Sequence, residues 1–337
     1  MAELARGLIE LGHRPTVFAT GDSRCEGLLR WTMPRPVWPL DTLTELRHVA
    51  FAWTEIAAGA FDVVHVNHPL ALPFCRLVRR PTVATVHHDR ADTFAVHYAS
   101  YPENAYVAIS ERQRELAPRV PFEATIHHGL AVDRYPAGSG DEGYCAYLGR
   151  LAKEKGTDIA IDAARRAGAP IRLGGAAHAH EREFFEREIV PRLALPGVEW
   201  LGEVGGARKI ALLRGASCLL FPIQWEEPFG LVMIEAMLVG TPVVAFPGGS
   251  VVEVIDEGIT GYVVRSVDEM VGRIQAIAAF DRRRCRARAR ERWSSSRMAR
   301  EHVDLYRRVI AAHGRPRARG AGEAGGDRVH TGAATER

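Results

Sequence analysis

The sequence predicts an α/β protein made of two doubly wound domains that face each other across a cleft. Three observations predict it. Short β-branched runs alternate with longer helical patterns along most of the 337 residues. These runs are apolar throughout rather than alternately apolar and polar, as strands covered on both faces of a parallel sheet must be. The alternation breaks once, at 134–143 (RYPAGSGDEG), where glycine, proline and charge mark a linker. The length fits two domains of roughly 150 residues each. With 47% apolar and 25% charged residues, the chain is neither disordered nor a coiled coil. No apolar run approaches the ~20 residues of a membrane span. The opening MAELARGLIELGH is amphipathic and does not read as a secretory signal.

In chain order, an opening helix leads to strands at 15–20, 61–67, 81–87, 105–110 and 123–127. Strands at 144–149, 170–174, 198–202, 216–222, 242–246 and 261–265 follow, with helices at 156–167, 180–193, 207–214 and 230–239. The domains are therefore placed at 1–135 and 142–292. A helix at 296–312 carries Met298, His302, Leu305 and Val309 on one stripe. Residues 293–312 are expected to cross back to the first domain, and 313–337, which have no apolar period, to be disordered. The first domain has one irregularity: no strand precedes its opening helix, although a doubly wound domain begins with a central strand. A preceding segment is expected to be absent from this sequence, with a different architecture as the alternative.

The segment 226–244 (EEPFGLVMIEAMLVGTPVV) is the most informative. Pro228 suits a helix start, and Gly240 with Pro242 a helix stop. The helix between is apolar all round and so buried, with Glu235 its one charged side chain. A buried carboxylate needs a partner. Sugar or ribose hydroxyls fit, and an arginine is the structural alternative. Glu227 falls at the positive end of this helix, beside the N–H groups of Phe229, Gly230 and Leu231, where a phosphate or sugar hydroxyl is favoured. An ordinary acidic residue favouring the dipole is the alternative. In 148–156 (LGRLAKEKG), Arg150 and Lys155 lie between a strand's end and a helix start, where two cations can hold a diphosphate. A solvated basic loop is the alternative there, and Lys153 and Glu154 read as solvated. Only Lys153, Lys155 and Lys209 among the 44 basic residues are lysine, so two lysines in one loop stand out.

Together these segments resemble the retaining GT-B glycosyltransferases of group 1, also called family 4. The residues that carry the likeness are Gly149, Arg150, Lys155 and Gly156; Gly202 to Val204; Glu227 and Glu235 in an E-x7-E spacing; and Gly249, Glu253, Val254, Gly258 and Thr260 to Tyr262. Weaker matches are 11–23, 62–67, 85–89 and 107–111. The resemblance covers about 1–312. It implies a GT-B fold and transfer of a sugar from a nucleotide donor with retention at the anomeric carbon. Arg150 and Lys155 would bind the donor diphosphate, and Glu235 the ribose. Glu227 and His87 would act at the donor sugar, with His88 as the alternative to His87. The N–H groups of Phe229, Gly230 and Leu231 would line the sugar-phosphate site, and Gly202, Glu203 and Val204 would lie beside the base. The implied donor is a UDP-, GDP-, ADP- or dTDP-sugar, with no tightly bound cofactor or metal. The acceptor is a carbohydrate, lipid or small molecule. Two departures from the family are the missing first strand with its glycine-rich loop, and His128-Gly129 in place of asparagine-glycine. The first motivates an alternative, a shortened relative that binds nucleotide sugar without turnover.

Other features point away from further sites. Five dispersed cysteines without a CxxC pair fit a reducing cytoplasm. A net charge of +3 gives no ground for nucleic acid binding. The histidine pairs 65/68, 87/88, 127/128 and 178/180 lack the convergence of a metal site and read as cleft or turn residues. The seven arginines of 282–292 read as a solvated helix, with a peripheral membrane contact as the alternative. Trp225 reads as packing rather than sugar stacking. No G-x-G-x-x-G follows a strand, which argues against a nicotinamide enzyme.

Overall fold

A computed structural model describes residues 1–37, 41–88 and 94–313. Asp89, within the 85–89 match, and 314–337 of the expected tail lie outside the described residues. The first part of the chain runs α1 (Ala2–Glu10), β1 (Thr16–Phe18), β2 (Leu28–Arg30), α2 (Thr42–Ala58), β3 (Val64–Val66), β4 (Thr82–Thr85), α3 (Ala95–Ala99), β5 (Ala105–Ala108), α4 (Glu111–Leu116) and β6 (Phe122–Thr125). The second part starts with β7 (Cys145–Leu148), α5 (Thr157–Arg166) and β8 (Ile171–Gly174). Then come α6 (Arg182–Phe184) and α7 (Val190–Leu193), joined by a π-turn, and β9 (Val198–Trp200). It ends with α8 (Gly206–Gly215), β10 (Cys218–Phe221), α9 (Leu231–Leu238), β11 (Val243–Ala245), α10 (Val251–Val254), β12 (Gly261–Val263), α11 (Val267–Gln275), α12 (Arg282–Arg292) and α13 (Ser295–Ala312). Every expected strand is present, each somewhat shorter than its apolar run. β2 and α2 were not expected.

The later strands form one parallel sheet in the order β12-β11-β10-β7-β8-β9. Both faces are covered. On β10, Leu219 and Phe221 join the core under α8, α9 and α12, while Cys218 and Leu220 join the one under α5 and α11. This is why the strands read as unbroken apolar runs. The strand order reverses between β7 and β10. Ligands of open α/β sheets bind in the crevice at such a point, beyond the carboxyl ends of the strands. The loops after β7 and β10 carry Arg150, Lys155 and Glu227, so the topology sets the two motifs side by side.

The earlier strands are split. β3-β4-β5-β6 form one parallel sheet, and β1 pairs with β2 in a separate one. A cavity of about 490 Å³ lies between them, lined by Val17 of β1, Val63 and His65 around β3, Leu4 and Leu8 of α1, and Tyr306 of α13. α13 packs on α1, and its Met298, Ala299, Leu305 and Tyr306 share a core with Val83, Ala105 and Val107 of the first sheet. No described helix is long and apolar enough to cross a membrane.

Two expectations need correction. Pro228 does not start a helix: α9 begins at Leu231, after Gly230 at φ +74. The solvated reading of 282–292 also fails. Arg282 donates to the carbonyls of Ala216 and Ser217 and to the Thr241 hydroxyl, and Arg286 to the carbonyl of Tyr135. Arg288 and Arg292 both pair with Asp256, and Arg290 with Asp133. These arginines tie α12 to the linker and to the loop after α10.

Candidate active site

Two glycines shape the loops that carry the charged residues. Gly156 ends the β7–α5 loop at φ +66, and a Cβ there would lie 2.0 Å from the Pro222 carbonyl oxygen. Gly249, at φ +58, would set a Cβ 2.1 Å from the Glu227 carbonyl oxygen. Only glycine fits either place, so the loops after β7, β10 and β11 lock together around Glu227.

Lys155 Nζ donates to Glu227 Oε2 at 2.7 Å and sits 4.2 Å from the centre of the Trp225 ring. Trp225 Nε1–H donates to the same oxygen at 3.0 Å. Trp225 therefore belongs to the site, as indole stacked on the lysine and bonded to its partner. Arg150 is held by Glu154 and Glu181. Glu154 is thus engaged, contrary to the solvated reading, and its carbonyl accepts the Gln224 N–H at 2.7 Å, joining the β7 and β10 loops. Glu181 is buried, and also accepts the His178 N–H at 2.8 Å. Among the described residues one group has metal-ligand reach, His178, His180 and Glu181, but this carboxylate is already occupied on both oxygens.

Glu235 is buried in α9, as expected, but its cation is a lysine rather than an arginine. Lys209 of α8 pairs with Oε1, and the Tyr135 hydroxyl donates to the same oxygen at 3.1 Å. Burial, then the charge of Glu235, pushes the Tyr135 phenol well above its usual pKa, so it stays a donor. Two of the chain's three lysines therefore hold the two acids of the E-x7-E spacing. Gly202, Glu203 and Val204 lie between β9 and α8, with Glu203 exposed and Gly202 accepting the Gly175 N–H at 2.8 Å. Lys209 rises from the helix that follows them. Leu231 opens α9 with its side chain half exposed, and Phe229 is buried beneath the loop.

The first sheet faces this site with the residues after its strands. His87, after β4, shares its Nε2 proton with Asn67 Oδ1 at 2.9 Å. Its ring stacks on His128, after β6, at 5.5 Å and 9°. His128 in turn meets Phe229 edge-on at 5.0 Å. His87 is thereby linked through His128 to Phe229 in the loop before α9. Burial, then the neighbouring His87, lowers the His128 pKa to about 3, so this ring is neutral. His88 stacks instead on Phe94 at 4.9 Å, turned to another neighbour.

Two acids of the second part clamp the start of α4. Glu253 accepts the N–H groups of Glu111 and Arg112 at 2.8 and 2.7 Å and contacts His127 at 3.0 Å. Glu226 takes the Arg112 guanidinium at 2.9 and 3.0 Å. The two cavities described, of about 490 and 520 Å³, both lie between the first part and α13, and neither is lined by Arg150, Lys155, Glu227 or Glu235. The charged groups instead occupy the crevice at the strand-order reversal. Sequence reasoning missed Trp225, Glu181, Tyr135, Asn67 and the role of Lys209. The scarcity of lysine drew attention to Lys153 and Lys155 in one loop, and to none of these.

Two family models match. Residues 1–122 match Glycosyltransferase Family 4, and 135–292 match Glycosyl transferases group 1. An alpha-maltose-1-phosphate synthase of Mycobacterium tuberculosis is 27% identical over 298 residues, covering 76% of each chain. A crystal structure of Anabaena Alr3699/HepE in complex with UDP and glucose superposes with a TM-score of 0.70 at 20% identity, over 90% of this chain and 95% of that one. Sucrose-phosphate synthase from Thermosynechococcus elongatus gives 0.76 at 19% identity, over 92% of each. At these identities the structural likeness shows the fold alone, which is GT-B.

Proposed function

Since the chain belongs to the group 1 glycosyltransferases, with a family 4 first domain, we propose that it moves a sugar from a nucleoside diphosphate to a hydroxyl acceptor with retention at the anomeric carbon. The observation that carries the reading is the Lys155–Glu227 pair set at the strand-order reversal, with Arg150 on the adjoining loop. Lys155 and Arg150 bind the diphosphate. As the bond to the sugar breaks, negative charge grows on the β-phosphate and the sugar becomes oxocarbenium-like. The two cations and the N–H groups of Phe229, Gly230 and Leu231 oppose that charge, an effect typically worth a few kcal/mol per group. Glu227, released from Lys155 by the phosphate, orients the donor sugar. His87 approaches the sugar from the first domain, oriented by Asn67 and His128. Glu235 takes the ribose, and Gly202, Glu203 and Val204 flank the base.

Domain limits of 1–135 and 142–292, with 293–312 returning to the first domain, fit this division of labour. Five free thiols support a cytoplasmic setting. The acceptor is a carbohydrate, lipid or small-molecule hydroxyl. The Lys155–Glu227 pair, Arg150 on the adjoining loop and the ring contacts of His87 support turnover over donor binding without transfer.

The test is a thermal-shift screen of UDP-, GDP-, ADP- and dTDP-sugars, followed by transfer and anomer analysis with the donor that binds. Glu227→Ala is expected to lower transfer by at least about 100-fold while leaving nucleotide affinity nearly unchanged. Unchanged turnover would remove Glu227 from the site, and an inverted product would remove retention.

A further inference from the structure

Asn67 and His87 stand beyond the carboxyl ends of neighbouring strands. β3 and β4 pair in register at Val66 and Ala84, so Asn67, the first residue after β3, lies beside the end of β4 that leads to His87. His87 Nε2 meets Asn67 Oδ1 at 2.9 Å, and Asn67 Nδ2 meets Met1 Sδ at 2.7 Å. The second contact decides the first. A thioether sulfur has no proton to give and only accepts. The NH2 of the amide must therefore face Met1, which turns its carbonyl oxygen to His87. That oxygen also only accepts, so the proton of the bond belongs to His87 Nε2.

The state of the other ring nitrogen follows. Desolvation by the crowd of neighbouring side chains, then the Met1 amino group, lowers the His87 pKa to about 4, although part of the residue stays exposed in the crevice. At neutral pH the ring thus carries one proton. With that proton on Nε2, Nδ1 keeps a lone pair, and among the described residues Nδ1 has no hydrogen-bond partner. His128 stacks on a face of the ring, not on this edge.

We propose that Asn67 is a positioning residue that fixes the tautomer of His87, so that Nδ1 turns a lone pair rather than a proton toward the donor sugar. The inference rests on the reading that His87 acts at that sugar, and adds which nitrogen acts and what sets it. Its physical basis is the charge that grows as the donor bond breaks. The sugar becomes oxocarbenium-like, and a lone pair is the negative end of the imidazole dipole. An N–H aimed at the same place opposes that charge, and an imidazolium opposes it more.

The tautomer is read without substrate, from long-range proton–nitrogen correlation spectra of the full chain carrying isotope-labelled histidine, with His87 identified by its loss in His87→Gln. Nε2 is expected to be protonated and Nδ1 bare, and the reverse assignment overturns the proposal. Transfer is then followed against pH in Asn67→Leu and Asn67→Asp, each checked for an unchanged melting temperature. Asn67→Leu removes the acceptor. The proton is expected to spread over both nitrogens, and kcat to fall at least about tenfold while the donor KM stays within about threefold. Asn67→Asp keeps an acceptor, and so the tautomer, but sets a carboxylate beside the ring and raises its pKa. The other titratable groups acting on this ring among the described residues are the Met1 amine, His65, His88, His128 and His302, none of them acidic. The protonated ring has no lone pair, so the acid limb of the Asn67→Asp profile is expected to move up by at least about one pH unit. Above that limb its kcat should return to within about threefold of the unaltered protein. An unchanged tautomer or kcat in Asn67→Leu, or an unmoved acid limb in Asn67→Asp, overturns the role of Asn67 while the donor-sugar reading stands. Absence of transfer in the unaltered protein overturns that reading, and the part of this inference that concerns the sugar with it.

Discussion

The two halves of the cleft are built to different standards. On the second side a six-stranded sheet runs without a break, and its reversal point brings two charged loops together. On the first side the sheet is split into two and four strands around a cavity of about 490 Å³. The first side meets the second through His87 and a chain of side-chain contacts: Asn67, His87, His128, Phe229. The difference teaches that the second-side charged site is fixed by backbone topology, whereas the reacting role proposed for His87 depends on how rings stack across the cleft. Perturbing the two sides should therefore give different kinetic signatures.

The largest separation is expected from His87→Ala. Transfer should fall by about 100-fold, while the affinity for the nucleoside diphosphate stays within about twofold. Equal losses in binding and turnover would show that His87 belongs to the donor side, and the contrast would collapse. Lys155→Met should do the reverse, weakening nucleoside diphosphate binding by roughly tenfold or more through the lost charge-assisted bond. An unchanged dissociation constant would count against its phosphate role.

A smaller effect should appear in acid, and it belongs to the first side. His302 of α13 is buried, and burial lowers its pKa from 6.5 to about 4. Between those values the unfolded chain binds the extra proton and the folded one does not. Stability should therefore rise with pH across that window and fall as pH drops from 6.5 towards 4. His302→Gln should flatten that part of the melting-temperature profile. An identical slope in the variant would show that His302 does not report on the packing of α13 against the first sheet.

The sequence reveals these halves unequally, for physical reasons. The second-side strands are buried on both faces and leave unbroken apolar runs, and Glu227 and Glu235 sit at fixed spacing on one segment. Such signals are local. β2, with an exposed and partly polar pattern, and α2, which interrupts no strong apolar period, leave weaker traces. Contacts between distant residues leave none: Glu235 finds Tyr135 across 100 residues, and His127 finds Glu253 across 126. The arginines of α12 mislead for the same reason. Their number suggests solvent exposure, but carbonyls and acids far along the chain absorb them. Lysine scarcity singled out the 148–156 loop, where Lys155 pairs with Glu227, and gave no reason to look at Lys209.

The most direct test of the account is a structure of the chain with a bound nucleoside diphosphate. The account predicts the β-phosphate within hydrogen-bond reach of Lys155 Nζ and the Arg150 guanidinium, with the ribose hydroxyls on Glu235. A nucleotide seated instead in the first-domain cavity, with Lys155 still closed on Glu227, would contradict it.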